Sequence, residues 1–145
     1  MKIIVPVDGS IHSREAVKLA ADYAKAKNAK VCLISIVPYI EAVDLEITAG
    51  ERERVKARMS KRAEAVIQEA SAVLEKDKLS SACNLVVDST SIPDTIVDYA
   101  EREKADLIII GSRGLGPSSR LRLGSVASSV VTHSPCSVCV VKLPL

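Results

Sequence analysis

Five apolar runs of strand length punctuate the chain, and each of the first four is followed by a segment whose apolar residues recur at helical spacing. Lys2 to Val7 is the first run, closed by Asp8-Gly9-Ser10; from there to about Lys27, Ala16, Ala20, Tyr23 and Ala24 share one helical face. Lys30 to Val37 is apolar almost without interruption, the pattern of a strand covered on both faces, and Pro38 stops it. Between Glu51 and Leu79 the residues Val55, Met59, Ala63, Val66, Ile67, Ala70, Val73 and Leu74 form one apolar stripe with charges around it, which predicts the longest helix. A third strand over Cys83 to Val87 precedes a helix whose first turn is marked by Pro93 and Asp94 and which runs to about Lys104. Ala105 to Ile110 is the fourth and most apolar run. A Gly/Ser/Arg loop, a helix carrying Val126, Ala127, Val130 and Val131, and a last strand from Ser137 to Leu143 complete the chain. Strict alternation of this kind predicts an α/β fold, an open parallel sheet with helices on both faces and right-handed crossovers. The stretch from Pro38 to Gly50 is long for a connection and reads as a flap or a short helix.

A chain of 145 residues is enough for one domain, taken as 1–145, with no interdomain linker or internal repeat. Aromatic residues make up 2% of it, with neither Phe nor Trp, so the core falls to Val, Ile, Leu and Ala. That scarcity argues against stacking platforms for single-stranded nucleic acid or sugars. A net charge of +2 is no footprint for a duplex, and no run reaches the roughly 18 apolar residues of a membrane span. The expectation is a soluble, cytoplasmic protein without an export signal that binds neither nucleic acid nor membrane. Charge is nevertheless uneven: residues 107–145 hold Arg113, Arg120, Arg122 and Lys142 and no acid. A locally cationic third of a nearly neutral chain suits a small anionic ligand.

Cys136 and Cys139 form a C-x-x-C, but within a strand positions three apart face opposite sides roughly 10 Å from one another, beyond the ~4 Å between Cβ atoms of a disulfide. All four cysteines therefore read as buried free thiols. His12, in the first turn of a helix, and His133, in the last turn of another, read as ordinary helix-end residues.

Ligands of open parallel sheets bind beyond the carboxyl ends of the strands, where strand order reverses. The first strand ends in Pro6-Val7-Asp8-Gly9-Ser10. The fourth ends in Gly111-Ser112-Arg113-Gly114-Leu115-Gly116-Pro117-Ser118-Ser119 and continues through Arg120 and Arg122 to Gly124-Ser125, which opens a helix. Glycines let backbone N–H groups approach a phosphate, and a helix start adds unpaired donors and partial positive charge. Any one of these glycines is explained by a turn or a cap; four glycines, three arginines, no acid and a helix start in one stretch favour an anion site. Arg120 and Arg122 either reach that site or project from the loop. Neither G-x-x-x-x-G-K-[ST] nor a G-x-G-x-x-G after the first strand is present, so neither a P-loop nor an ordinary dinucleotide fold is supported.

Gly111-x-x-Gly114, nine residues and Gly124-Ser125, paired with Val7-Asp8-Gly9-Ser10 after the first strand, resemble the ATP-binding branch of the universal stress protein family. The likeness extends to the ending His133-Ser134-Pro135-Cys136-Ser137-Val138-Cys139-Val140-Val141. The resemblance implies an adenine nucleotide alpha hydrolase-like sheet of order 3-2-1-4-5, ATP between the first and fourth strands, and a homodimer through the C-terminal fifth strand. It implies adenine and ribose contacts at Pro6, Val7, Asp8, Ile36, Ile110 and Gly111, and phosphate contacts at Ser112, Arg113, Gly114, Gly124, Ser125, Val126 and Ala127. Asp8 would hold a phosphate-bridging Mg2+ or Mn2+, bind the ligand directly, or cap the next helix. Ser89-Thr90-Ser91 departs from the glycine common after the third strand. The favoured role is a nucleotide-dependent stress-response switch. A slow ATP hydrolase or adenylate-transferring enzyme, with Asp8 or His12 positioning water, and a nucleotide-free scaffold are the alternatives.

Overall fold

The computed structural model describes residues 1–39, 47–116 and 122–143. Strands β1 (Lys2–Pro6), β2 (Lys30–Pro38), β3 (Ser81–Ser89), β4 (Leu107–Gly111) and β5 (Ser137–Val141) alternate with helices α1 (Ile11–Lys27), α2 (Ala49–Lys76), α3 (Ile92–Arg102) and α4 (Ser125–His133). The strands form one parallel sheet in the order β3-β2-β1-β4-β5, as expected.

Successive residues of a strand point to opposite faces, and both faces are buried here. Ile3, Val5, Leu33 and Ile109 pack with α1 and α2 on one side, while Ile4, Ile34, Ile108 and Ile110 pack with α3 and α4 on the other. Burying one such side chain contributes about 1.5–3 kcal/mol, and these eight aliphatic residues replace the missing aromatics. The stripe predicted for the longest helix is buried at Ala63, Ile67, Ala70 and Leu74. Tyr23, by contrast, is 38% exposed, because the buried face of α1 runs through Ser13, Ala16, Val17, Ala20, Ala21 and Ala24. Val131 is likewise exposed, the buried side of α4 being Ala127 and Val130. Cys32 is buried, but Cys83, Cys136 and Cys139 are only half-buried, so the expectation of four buried thiols holds for one of them. Cys139 packs on the α1/α2 side and Cys136 on the α3/α4 side, and both are free, in keeping with the strand reading.

Three helices stop in the same way. Asn28, Lys78 and Lys104 have φ of 50°, 58° and 51°, and the next residue in each case, Ala29, Leu79 or Ala105, donates its N–H to a carbonyl five residues back. This left-handed cap ends α2 at Lys76, short of the predicted Leu79. At its other end Thr48 and Glu51 form a reciprocal capping box, so the helix begins at Ala49; residues 40–46 of the predicted flap lie outside the described residues. Hydroxyls close the turn after β3, where Ser89-Thr90-Ser91 stands in place of a glycine: Ser89 Oγ accepts from the Ser91 N–H (3.1 Å), and Ser91 Oγ caps α3 at Asp94.

A lysine in the left-handed region costs about 1–2 kcal/mol that glycine avoids, less glycine's greater loss of chain entropy. Lys104→Gly is therefore expected to raise unfolding stability by about 0.5–1 kcal/mol, read from urea denaturation, while Asn28→Gly, at a residue that tolerates this conformation, changes it by less than half as much.

Candidate functional site

β1 and β4 are neighbours, paired at Ile3–Leu107 and Ile4–Ile108, yet their chains leave the sheet toward opposite faces: β1 feeds α1, β4 feeds α4. The divergence opens a cavity of about 550 Å³ beyond the carboxyl ends of β1, β2 and β4, well inside the ~300–1,000 Å³ typical of small-molecule sites.

The β1 side contributes Pro6, Val7 and Asp8. Gly9 (φ +84°) turns the chain, and its turn is tied by Asp8 Oδ1, which accepts the Ser10 N–H at 2.8 Å; Ser10 then caps α1 by accepting from the Ser13 N–H. One oxygen of Asp8 is thus spent on local structure. Its Oδ2 looks across the cleft, where a Cβ added at Gly114 would come within 2.8 Å of it. Asp8 thus holds the Gly9 turn with one oxygen and faces the cavity with the other, while the cap of α1 falls to Ser10 and not to Asp8.

The β4 side contributes Ile110, Gly111, Arg113, Gly114, Gly124, Ser125, Val126 and Ala127, and β2 adds Ile36. Twelve of the thirteen residues singled out from sequence therefore line one cavity. Ser112 does not: its side chain is buried, its N–H donates to the Val141 carbonyl (2.8 Å) and its carbonyl accepts from the Gly124 N–H (2.7 Å). Ser112 ties the start of α4 to the end of β4 and stands behind the lining. Gly111 also has a packing duty, since a Cβ there would lie 2.8 Å from His12 backbone and side-chain carbon. His12 stands in the first turn of α1, and His133 Nδ1 lies 2.9 Å from the Ser129 carbonyl in the last turn of α4, so both occupy the helix-end positions expected. Arg120 lies outside the described residues, and Arg122 is exposed.

The four helix starts differ in one respect. α1, α2 and α3 each have a side-chain cap from Ser10, Thr48 or Ser91. α4 begins after Gly124 with no side-chain cap and no acid in its first turn, and its first three residues line the cavity. Uncapped N–H groups and the positive end of the helix dipole thus open into the cleft.

Several lining residues escaped the sequence reading. Met59, Arg62, Ala63 and Val66 of α2 form one wall, Ile92 and Ile96 of α3 part of another. The α2 stripe was legible as apolar, but its upper turns overhang the strand ends, so what reads as core there faces the cavity. Arg62 carried no signal apart from its place beside Ala63. Among the described residues no group of three His, Cys, Asp or Glu side chains is set to hold a metal ion, and no helix is long and apolar enough to cross a membrane.

A profile of the universal stress protein family matches residues 1–142. The universal stress protein MJ0531 of Methanocaldococcus jannaschii is 33% identical over 144 residues, covering 99% of this chain and 82% of its own. Among solved structures, a universal stress protein in complex with cAMP superimposes with a TM-score of 0.75 at 25% identity, covering 99% of this chain and 98% of its own. The universal stress protein of Archaeoglobus fulgidus in complex with dAMP gives 0.71 at 24%, covering 98% of each chain. A sheet of order 3-2-1-4-5, a cleft at its point of reversal, and a sequence match running from residue 1 to 142 have one reading: the chain belongs to the universal stress protein family.

Proposed function

We propose that this protein binds adenine nucleotide, with ATP as the ligand, and acts as one homodimeric unit of a nucleotide-dependent switch in the cytoplasmic stress response. The observation that carries the reading is the uncapped start of α4, which turns its N–H groups into the cavity opposite Asp8. Phosphates would accept from the backbone around Gly114 and Gly124 to Ala127, with Arg113 supplying charge. Hydrogen bonds to a charged acceptor are worth about 1.5–3 kcal/mol each, so four or five suffice for the ~8 kcal/mol of micromolar affinity. Ile36, Ile110, Ile92 and Ile96 offer the aliphatic walls that an adenine ring fills in a chain without Phe or Trp. The nucleotides bound by the relatives with dAMP and cAMP support the same ligand class.

Mg2+ commonly binds through one or two carboxylates and completes its shell with phosphate oxygens and water. Asp8, with Oδ1 engaged by Ser10 and Oδ2 toward the cleft, fits that role for Mg2+ or Mn2+ once phosphates are present. The cation would neutralise the phosphates.

β5 supports the dimer. It is an edge strand with Val138, Cys139, Val140 and Val141 half-buried, and Lys142 follows as the nearest charge. Antiparallel pairing with its own copy about a twofold axis would satisfy the edge N–H and C=O groups that no other described strand pairs with and cover the valines.

Protein purified without added nucleotide, heat-denatured and run by HPLC, is expected to release adenine nucleotide, or to bind ATP with a Kd on the order of micromolar by calorimetry. Gly114→Ala drives a Cβ against Asp8, and Gly124→Val drives one toward the Ser112 carbonyl 3.3 Å away. Each should weaken ATP binding at least tenfold, about 1.4 kcal/mol or more, with unchanged circular dichroism. Wild-type affinity in both folded variants would sink the phosphate assignment.

Light scattering at tens of micromolar is expected to give a dimer for the wild type and a monomer or aggregate for Val140→Pro, whose ring removes a ladder donor. An unaltered dimer in the variant would exclude this edge as the interface.

A further inference from the structure

A second cluster of reactive side chains lies on the edge of the sheet away from β5. Cys32 of β2 and Cys83 of β3 are register partners, and both side chains enter the layer beneath α3 and α4. Neighbouring strands lie about 4.8 Å apart, inside the ~4.4–6.8 Å between Cα atoms that a disulfide spans. Pairing jumps from Val31–Ser81 to Cys32–Cys83, so Ala82 is an extra residue and the ladder is already loosened one position before Cys83. The Cys83 Sγ is 2.8 Å from the Tyr99 hydroxyl. That ring is held in turn by the Arg102 guanidinium, 5.2 Å from its centroid. Lys2 and Glu103, paired at 2.9 Å, are the charged neighbours of the cluster.

The two thiols are not equivalent. Cys32 is 2% exposed, out of reach of a solute, whereas Cys83 is half-buried on an edge strand. Cys136 and Cys139, on opposite faces of β5 or its start, have no such partner in register.

We propose that Cys32 and Cys83 form a peroxide-oxidisable dithiol that closes to a cross-strand disulfide, with Cys83 reacting first and Cys32 resolving it. In the first step the Cys83 sulfur attacks one oxygen of hydrogen peroxide and the O–O bond breaks. The departing hydroxide takes the thiol proton as water, leaving a sulfenic acid. In the second the Cys32 sulfur attacks the Cys83 sulfur, the S–O bond breaks, and the hydroxyl leaves as a second water with the Cys32 proton. Two thiols lose two electrons and two protons, and one peroxide is reduced to two waters.

The surroundings match this division of labour. Burial, and then the hydrogen bond with Cys83, push the Cys32 thiol up to about 12, so Cys32 does not compete with Cys83 for the peroxide. Tyr99 is raised too, by burial first and by Cys83 second, and its phenol keeps its proton beside the Cys83 sulfur, where it can hydrogen-bond the hydroxide that departs from the peroxide. The oxidised pair would staple the edge strand β3 to β2 without touching the cleft at the far ends of those strands.

The test is peroxide treatment of the full-length protein, followed by quenching, denaturation, alkylation and peptide mapping by mass spectrometry. The expected product is a Cys32–Cys83 linked peptide in most molecules, with Cys136 and Cys139 alkylated as free thiols. Cys32→Ser should halt the reaction at a Cys83 sulfenic acid that dimedone traps. Tyr99→Phe should slow cross-linking at least threefold. Recovery of Cys32 and Cys83 as separate alkylated thiols from wild type would overturn the proposal, as would Cys83 carried to sulfinic acid beside a free Cys32. An unchanged rate in Tyr99→Phe would remove the phenol from the mechanism.

Discussion

Everything in this molecule follows from the winding of one parallel sheet that starts at its middle strand. A parallel sheet needs cover on both faces, and right-handed crossovers decide which face each helix takes. Moving from β1 outward to β2 and β3 places α1 and α2 on one side; the return across the sheet to β4 and β5 places α3 and α4 on the other. At the reversal the chain leaves adjacent strands in opposite directions. Among the described residues no side chain fills the gap, and the cleft between Asp8 and the start of α4 is its direct product.

The sheet's interior explains why that gap can be held open. Ile3, Ile4, Ile108 and Ile109 are fully buried on the two strands that flank it, so the backbone of β1 and β4 is fixed from both faces. Two glycines then bring the elements above it close together. Gly111 lets the end of β4 rest against His12, and Gly114 lets the loop approach Asp8. The hydrogen bonds of Ser112 to Val141 and Gly124 carry this rigidity into the first turn of α4. The donors at that turn are held in place before any ligand arrives, so binding need not bear the whole entropy of ordering them.

The two edges of the sheet have different chemistry. β5 presents valines and an edge that no other described strand pairs with, the surface on which the proposed dimer rests. β3 exposes Ala82, Asn84 and Asp88 and, facing inward, sets Cys83 beside Cys32 of β2 and Tyr99 of α3. The edges are separated by three strands, so the proposed oxidation at one and the proposed association at the other need not compete for the same surface.

The number, type and order of elements were legible along the chain because continuous apolar runs mark doubly covered strands, and stripes such as Ala63, Ile67, Ala70 and Leu74 mark helices. Local spacing also exposed the two loops that face each other across the cleft: Asp8 after the first strand and Gly114, Gly124 and Ser125 after the fourth announce themselves by turn chemistry and by the absence of acids. Element ends were less legible, since the left-handed caps at Lys78 and Lys104 use a residue that carries no turn signal. Long-range placement had no local signal at all. That Ser112 turns its back on the cavity, that Arg62 overhangs it, and that Cys32 meets Cys83 across a bulge are set by strand register and helix overhang, which bring together residues far apart in sequence. Periodicity reports which side of its own element a residue occupies; only the packed sheet decides what stands opposite.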